Sequence, residues 1–405
     1  MKRRPDMITI DDVRKAEERI AGAVRRTHVL HSMTLSGDNE VYLKVESLQR
    51  TGSFKIRGAY NRIAAMTDEE KAKGVIAADD GNHAQAVALA ASLLGVKSKV
   101  CMSQAALMSR IEDARHHGAD VILVQGGEEE AKAEALRLSE EKGYIFIDKQ
   151  NDDLIAAGDG TIALEILEQV PDADAVVVPA GTGTLLAGVA VAVKSIAPQC
   201  KVYGVQATGA SALSRSYRKG EIVSLTQTST FADGIGVLEP AEDTFGTVKE
   251  LVDGIFTVTE DEIASAMLTL LEKQKILAEG AGAVAAAAIM FDKIPESGKK
   301  IACVISGGNV DINILNRVIA RGLMMNDRKS AITIQMDDKQ GTLGRACNII
   351  SECGGNILEV HHDRGASNIQ LTSCYVTFEL ETKDAAQARL LRETLEAEGY
   401  KLVRQ

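Results

Sequence analysis

The 405-residue sequence has no apolar run approaching the ~20 residues that a membrane-spanning helix requires, and a spanning helix is therefore excluded. Its start, MKRRPDMITIDD, carries basic residues without the apolar core of a signal peptide behind them, so a cytoplasmic protein with no membrane partner is expected. Positive charge is in short supply. With 57 acidic against 46 basic residues the formal net charge is −11, which lacks the basic footprint that a nucleic-acid partner needs for counterion release. Paired cysteines are missing too: Cys101, Cys200, Cys303, Cys347, Cys353 and Cys374 form no CxxC motif. Most of them lie in apolar surroundings, where a reduced thiol packs as a small hydrophobe. No internal repeat or low-complexity segment is present.

What the chain does have is ample core material, 45% hydrophobic residues over a length that suits more than one domain. Short β-rich runs alternate with helical stretches, the pattern of βα units around mostly parallel sheets. The runs are VYLKV at 41, GVIAA at 74, SKVCM at 98, DVILV at 120, AVVVP at 175, KVYGV at 201 and KIACVIS at 300. Helices are expected between them, including HAQAVALAASLLG from 83 and the amphipathic EEEAKAEALRLSEEKG from 128, each closing on glycine. This is a doubly wound α/β plan. The texture changes after Gly322. A polar junction, LMMNDRKS, leads into residues 331–405, whose order of strand, helix, strand, strand, helix, strand is that of a ferredoxin-like domain.

The chemistry begins at SLQRTGSFKIRGAY, residues 47–60, where Lys55 follows a Thr-Gly-Ser turn and precedes a helix. A helix N-terminus attracts anions, and an amine held among positive charges such as Arg57 sheds its proton more readily and becomes a nucleophile that can form a Schiff base. The segment AGTGT, Ala180 to Thr184, follows a buried strand and precedes a helix. Its backbone N–H groups can close on a phosphate, although glycine also serves there simply to make the turn.

The segment LQRTGSFKIRGAYNRI resembles the cofactor-lysine segment of threonine deaminases, members of the fold-type II pyridoxal phosphate enzymes. The likeness continues in GNHAQAVALAA, DGTIALEILEQ, VVVPAGTGTLLAG, FADGIGV, AEGAGAV and VISGGNVD, and so covers nearly all of residues 7–325. The resemblance implies two doubly wound subdomains within a catalytic domain of residues 1–325, the smaller of roughly 50–150 inserted in the larger, followed by an ACT-like regulatory domain at 331–405. It also implies pyridoxal phosphate as cofactor. Lys55 would hold it covalently, Phe54 would pack on its ring and Asn82 would bond the ring hydroxyl. The loop Gly181, Thr182, Gly183, Thr184 and Leu185 would take the phosphate, and Ser306 would meet the pyridine nitrogen, leaving it unprotonated as elimination chemistry prefers. Ser53, Asp79, Gly81 and His83 would line the substrate site. The implied reaction is β-elimination from a threonine- or serine-like amino acid, with Lys55 as base and a 2-oxo acid and ammonia as products. The resemblance further implies a homodimer or homotetramer and an amino-acid or nucleotide effector bound by the tail, although Gln340 stands where a proline usually precedes Gly341. A structural or oligomerising tail is the alternative.

The pocket departs from the family. Asp79 and Asp80 replace Ser-Ala or Ser-Ser, DKQ stands at 148–150, and Asp159 takes the place of a glutamine. Two carboxylates about 5 Å apart repel by on the order of 3 kcal/mol at an effective dielectric near 20, so a simple hydroxy amino acid should bind less well unless the charge is offset. Lys149 is one candidate for that offset. Asp80, by analogy with serine racemases and diaminopropionate ammonia-lyases, would be a second proton-transfer group, and a racemase or diaminopropionate-type lyase is the competing reading. Capping of the helix near His83 is the structural alternative for either aspartate. A non-catalytic or engineered chain with an altered pocket also fits these changes. No metal site is expected, because His83, His361 and His362 show no ligand spacing with nearby carboxylates.

Overall fold

A computed structural model describes residues 8–325, 327–365 and 369–403. The basic start, Asn326 of the junction, and Arg404 and Gln405 of the last expected strand lie outside them. The chain divides into two compact units at Asp311/Ile312, so the helix Ile312–Met325 groups with the tail, ahead of the junction read from the sequence.

In the first unit the strands are β1 (Val29–His31), β2 (Glu40–Val45), β3 (Val75–Ala78), β4 (Ser98–Ser103) and β5 (Asp120–Val124). They continue with β6 (Ile145–Phe146), β7 (Ala175–Pro179), β8 (Lys201–Ala207), β9 (Gly254–Val258) and β10 (Lys300–Ile305). All seven expected strands are present. The three not expected, β1, β6 and β9, are all edge strands, and β1 and β6 span only three and two residues. The small sheet runs β5-β4-β3-β6 and is parallel throughout. The large sheet runs β1-β2-β10-β7-β8-β9, parallel except for the β1–β2 pairing.

Both faces of the small sheet are covered, which explains why its strands read as continuous apolar runs. Val75 and Ala77 pack with the helices Ile56–Ala64 and Asn82–Leu93. Ile76 and Ala78, one residue out of phase, pack with Ala131 and Ala135 of the helix Glu128–Lys142. In the large sheet Val176, Val178, Val202, Ala302 and Val304 face the helices Asp153–Gln169 and Thr184–Ile196, while the helix Gly280–Met290 packs on β7, β8 and β10. Among the described residues no helix is long and apolar enough to cross a membrane.

One crossing positions the site. The helices Ile56–Ala64 and Asp153–Gln169 touch backbone to backbone, and a Cβ on Gly158 would stand 2.6 Å from the Arg57 carbonyl oxygen. Gly158→Ala therefore forces the helices apart. A loss of about 1–3 kcal/mol is expected in urea unfolding, and an unchanged midpoint would show that the crossing yields without strain.

The second unit contains β11 (Lys329–Asp337), β12 (Asn356–Asp363), β13 (Ser373–Glu381) and β14 (Lys401–Val403), with the helices Thr342–Glu352 and Ala385–Ala397 between them. Its antiparallel sheet has the order β12-β13-β11-β14, the ferredoxin-like arrangement read from the sequence. The register also makes groupings that linear spacing hides. Asp338, His362 and Cys374 offer ligand atoms within 4.8 Å of one another, as do Glu359, His361 and Glu379. Two of these carboxylates are already ion-paired, Asp338 with Arg364 at 2.7 Å and Glu379 with Lys329 at 2.9 Å.

Candidate active site

Lys55 stands at the N-cap of the helix Ile56–Ala64, directly after a turn in which Ser53 bridges to Gly307 and the Phe54 N–H donates to the Ser306 carbonyl at 3.0 Å. Its half-buried amine makes no hydrogen bond or ion pair with any described residue; Nζ stands 4.8 Å from the Phe54 ring centroid. Burial holds the Lys55 pKa below its ordinary value, as the sequence suggests, but the cause differs. The nearby positive charge is Lys149, not Arg57. The Arg57 guanidinium turns away to grip Glu46 at 2.8 Å and Glu165 at 2.7 Å.

Four acids surround this amine or its neighbours, and each is handled differently. Asp159 is fully buried, neither of its oxygens has a hydrogen-bond partner of good geometry among the described residues, and burial pushes its carboxyl up to about 7. Lys55, the Gly58 N–H and Arg57 oppose that rise. Glu279 is likewise raised to about 7, by burial and then by Asp233, while accepting a 2.7 Å bond from Asn82 Nδ2. Asn82 Oδ1 in turn accepts from Asn309 Nδ2 at 2.7 Å. Thus Asn82, expected at the ring hydroxyl, is held between Glu279 and Asn309. Sequence reasoning assigned neither of those two a role, although both lie in segments that carry the family resemblance.

Asp79 is the helix cap. Its Oδ2 accepts the N–H groups of Gly81 at 2.9 Å, His83 at 3.0 Å and Ala84 at 3.3 Å, and its Oδ1 meets Lys149 Nζ at 2.7 Å. Burial raises its pKa, but Lys149 and His83 with these N–H groups outweigh that and hold the carboxyl well below the usual carboxylate range. Lys149 does offset one of the new acids, and it is shared with Glu128. Asp80 points elsewhere. Its Oδ1 accepts the Ser103 N–H at 2.7 Å at the end of β4, and burial raises its pKa. His83, expected to touch substrate, is buried and neutral: burial lowers its pKa to about 4, and Nε2 donates to the Ile147 carbonyl at 3.1 Å. Gly81 lies beside Arg110, which pairs with Asp233 at 2.7 Å, and Ser53 keeps a buried hydroxyl with no partner.

The glycine loop is built as the sequence implied. Gly183 has φ +106°, a conformation that glycine adopts without strain, and begins the buried helix Thr184–Ile196 with no side-chain cap. Thr182 and Thr184 hydroxyls stand 3.1 Å apart, and Thr184 Oγ1 donates to the Gln150 carbonyl at 3.0 Å. An uncapped helix N-terminus is an anion site. The two N-termini differ instructively: the helix Asn82–Leu93 is filled by its own aspartate, whereas the helix after Gly183 is open. Ser306 is buried at the end of β10. An unpaired amine at Lys55, an open N-terminus at Gly183 to Leu185 and a hydroxyl at Ser306 fit the aldehyde, phosphate and pyridine of pyridoxal phosphate.

The comparisons point to the same cofactor class. The chain is 44% identical to an L-threonine ammonia-lyase of Thermotoga maritima over 398 residues, 98% of this chain and 99% of that protein, so the tail is shared. Among solved structures it is similar to maize serine racemase, with a TM-score of 0.74 and 35% identity, covering 78% of this chain and 98% of the other. It is also similar to the processed form of threonine deaminase isoform 2 from Solanum lycopersicum, with a TM-score of 0.72 and 36% identity, covering 79% and 96% respectively. Residues 20–307 match the family of pyridoxal-phosphate dependent enzymes, and the chain belongs to it.

Proposed function

We propose that this protein is an ammonia-lyase that eliminates the β-hydroxyl of a threonine- or serine-like amino acid to give a 2-oxo acid and ammonia. The observation that carries the reading is the Lys55 amine, unpaired, lowered in pKa by burial and preceded by the Ser53–Gly307 bridge. Pyridoxal phosphate, when bound, supplies an aldehyde that condenses with amines and a ring system that takes up the electron pair left at a substrate α-carbon. Lys55 would anchor it and would accept the α-proton at Nζ. Gly181, Thr182, Gly183, Thr184 and Leu185 would hold the phosphate, Phe54 would pack on the ring, Ser306 would meet the pyridine nitrogen, and Asn82 would bond the ring hydroxyl from its place between Glu279 and Asn309. Ser53 and the loop Asp79 to Gly81 would receive the substrate, with His83 buried behind it. Asp80, held by the Ser103 N–H, fits an anchor of that loop better than a proton shuttle, which favours the lyase over a racemase. In the same reading the ferredoxin-like tail is an ACT-like regulatory domain, binding an amino-acid or nucleotide effector near the Gly341–Leu343 turn, and the protein works in the cytoplasm as a homodimer or homotetramer.

The test is spectroscopic and then chemical. Protein prepared with pyridoxal phosphate should show a visible absorption band that borohydride bleaches, with the reduced adduct mapped to Lys55. Serine, threonine, 3-hydroxyaspartate and 2,3-diaminopropionate, each in both configurations, are then assayed for ammonia and 2-oxo acid. No adduct at Lys55 rejects the enzymatic reading; racemisation without ammonia release rejects the lyase.

A further inference from the structure

Asp159 is a group the proposed reaction leaves without a task. A carboxyl buried to 0% exposure whose oxygens, beyond the nearby Gly58 N–H, find no hydrogen-bond partner of good geometry among the described residues is rare in a folded interior, because an unmade hydrogen bond to an ionised group is expensive. Its place is rigid. The backbone contact between Gly158 and the Arg57–Gly58 turn fixes the helix that carries it, and a Cβ on Gly58 would stand 2.8 Å from Oδ1. Of the charges acting on Lys55, Asp159 is the largest, and Lys55 is the largest charge acting on Asp159. Arg57 and Glu46 also bear on the carboxyl, while Lys149, Asp79 and Glu279 bear on the amine. None of these others satisfies either Asp159 oxygen by a hydrogen bond.

We propose that Asp159 is a positioning residue for Lys55, its carboxylate taking up the proton that the Lys55 amine must shed before it can act as a nucleophile. This rests on Lys55 being the cofactor anchor. In the step an Nζ–H bond breaks, its electron pair stays on nitrogen, and an O–H bond forms on Asp159. An ammonium and a carboxylate become an amine and a carboxylic acid, with no other reactant. The exchange suits a dry site, since two opposite charges without a direct ion pair are replaced by two neutral groups. The flexible four-carbon stem of Lys55 supplies the remaining approach. The amine and acid then titrate as one coupled pair, in two macroscopic steps.

The experiment uses the full-length protein stripped of cofactor. The rate of reductive methylation at Lys55 is followed against pH by peptide mass spectrometry for the wild type, Asp159→Asn and Asp159→Glu. The wild-type profile should rise in two steps. Asp159→Asn should collapse it to one step whose midpoint lies about one pH unit or more lower, because the carboxylate that favours the ammonium is gone. Asp159→Glu should restore two steps. A purely structural aspartate would leave the midpoint where it was, and an unmoved midpoint overturns the proposal. Should Asp159→Asn fail to fold, Asp159→Ser removes the same charge and is read the same way. A Lys55 that titrates as described but gives no borohydride adduct with pyridoxal phosphate would reject the anchor reading alone.

Discussion

Arg57→Ala is expected to lose about 3–5 kcal/mol of folding stability, measured by chemical denaturation, a large share of the ~5–15 kcal/mol available to a protein. Arg57 and Lys44 are fully buried, and they neutralise Glu46 and Glu165. Arg57 Nη1 meets Glu165 at 2.7 Å, its Nε and Nη2 each meet Glu46 at 2.8 Å, and Lys44 Nζ meets Glu165 at 2.5 Å. Burial alone would raise the Glu46 pKa, and it is chiefly Arg57 that brings it below the ordinary value. Without Arg57 that carboxylate is left in the interior with Thr27 and Lys44 for support, and a cavity opens beside it. The network joins β2, the turn at Glu46 and both helices of the glycine crossing, so the segment that presents Lys55 should loosen with it. A loss under about 1 kcal/mol would mean that water reaches these groups and screens them.

Asp79→Ser is the second, and its diagnostic effect falls on substrate. In the structure the Asp79 carboxylate already accepts the N–H groups of Gly81, His83 and Ala84 and already pairs with Lys149. A substrate carboxylate bound at the same loop meets donors that are in use and a negative charge held ionised. Serine can still accept helix N–H groups, although the ion pair with Lys149 is lost and some stability with it, while the repulsion vanishes and Lys149 keeps Glu128 as its partner. The KM for L-threonine should fall at least ~10-fold with a smaller change in kcat, since about 1.4 kcal/mol of relieved repulsion suffices for that factor. An unchanged or higher KM would show that the substrate carboxylate binds elsewhere and that Asp79 serves the fold.

The seven central strands, the helices closing on Gly95 and Gly143, the ferredoxin-like tail and the glycine loop at 181–184 were legible because their signals are local. Periodicity and turn chemistry are written within a few residues. Lys55 was singled out for the same reason, through the segment around it, and its place at a helix N-cap could be read there as well. The edge strands β1 and β6 were missed because three and two residues leave little pattern, and β9, GIFTV, because a short apolar run between helices reads as readily as helix as strand.

The amino-acid order alone thus determined the layers and the glycine turn that opens the helix Thr184–Ile196. Which charge answers which was left to the tertiary structure. Asp79 finds Lys149 across 70 positions, and Asn82 finds Glu279 across 197. Asp159 is brought against the Lys55 segment only because two glycines let two helices touch. Coulomb and desolvation energies depend on distance and burial in space, and neither quantity exists until the chain has folded.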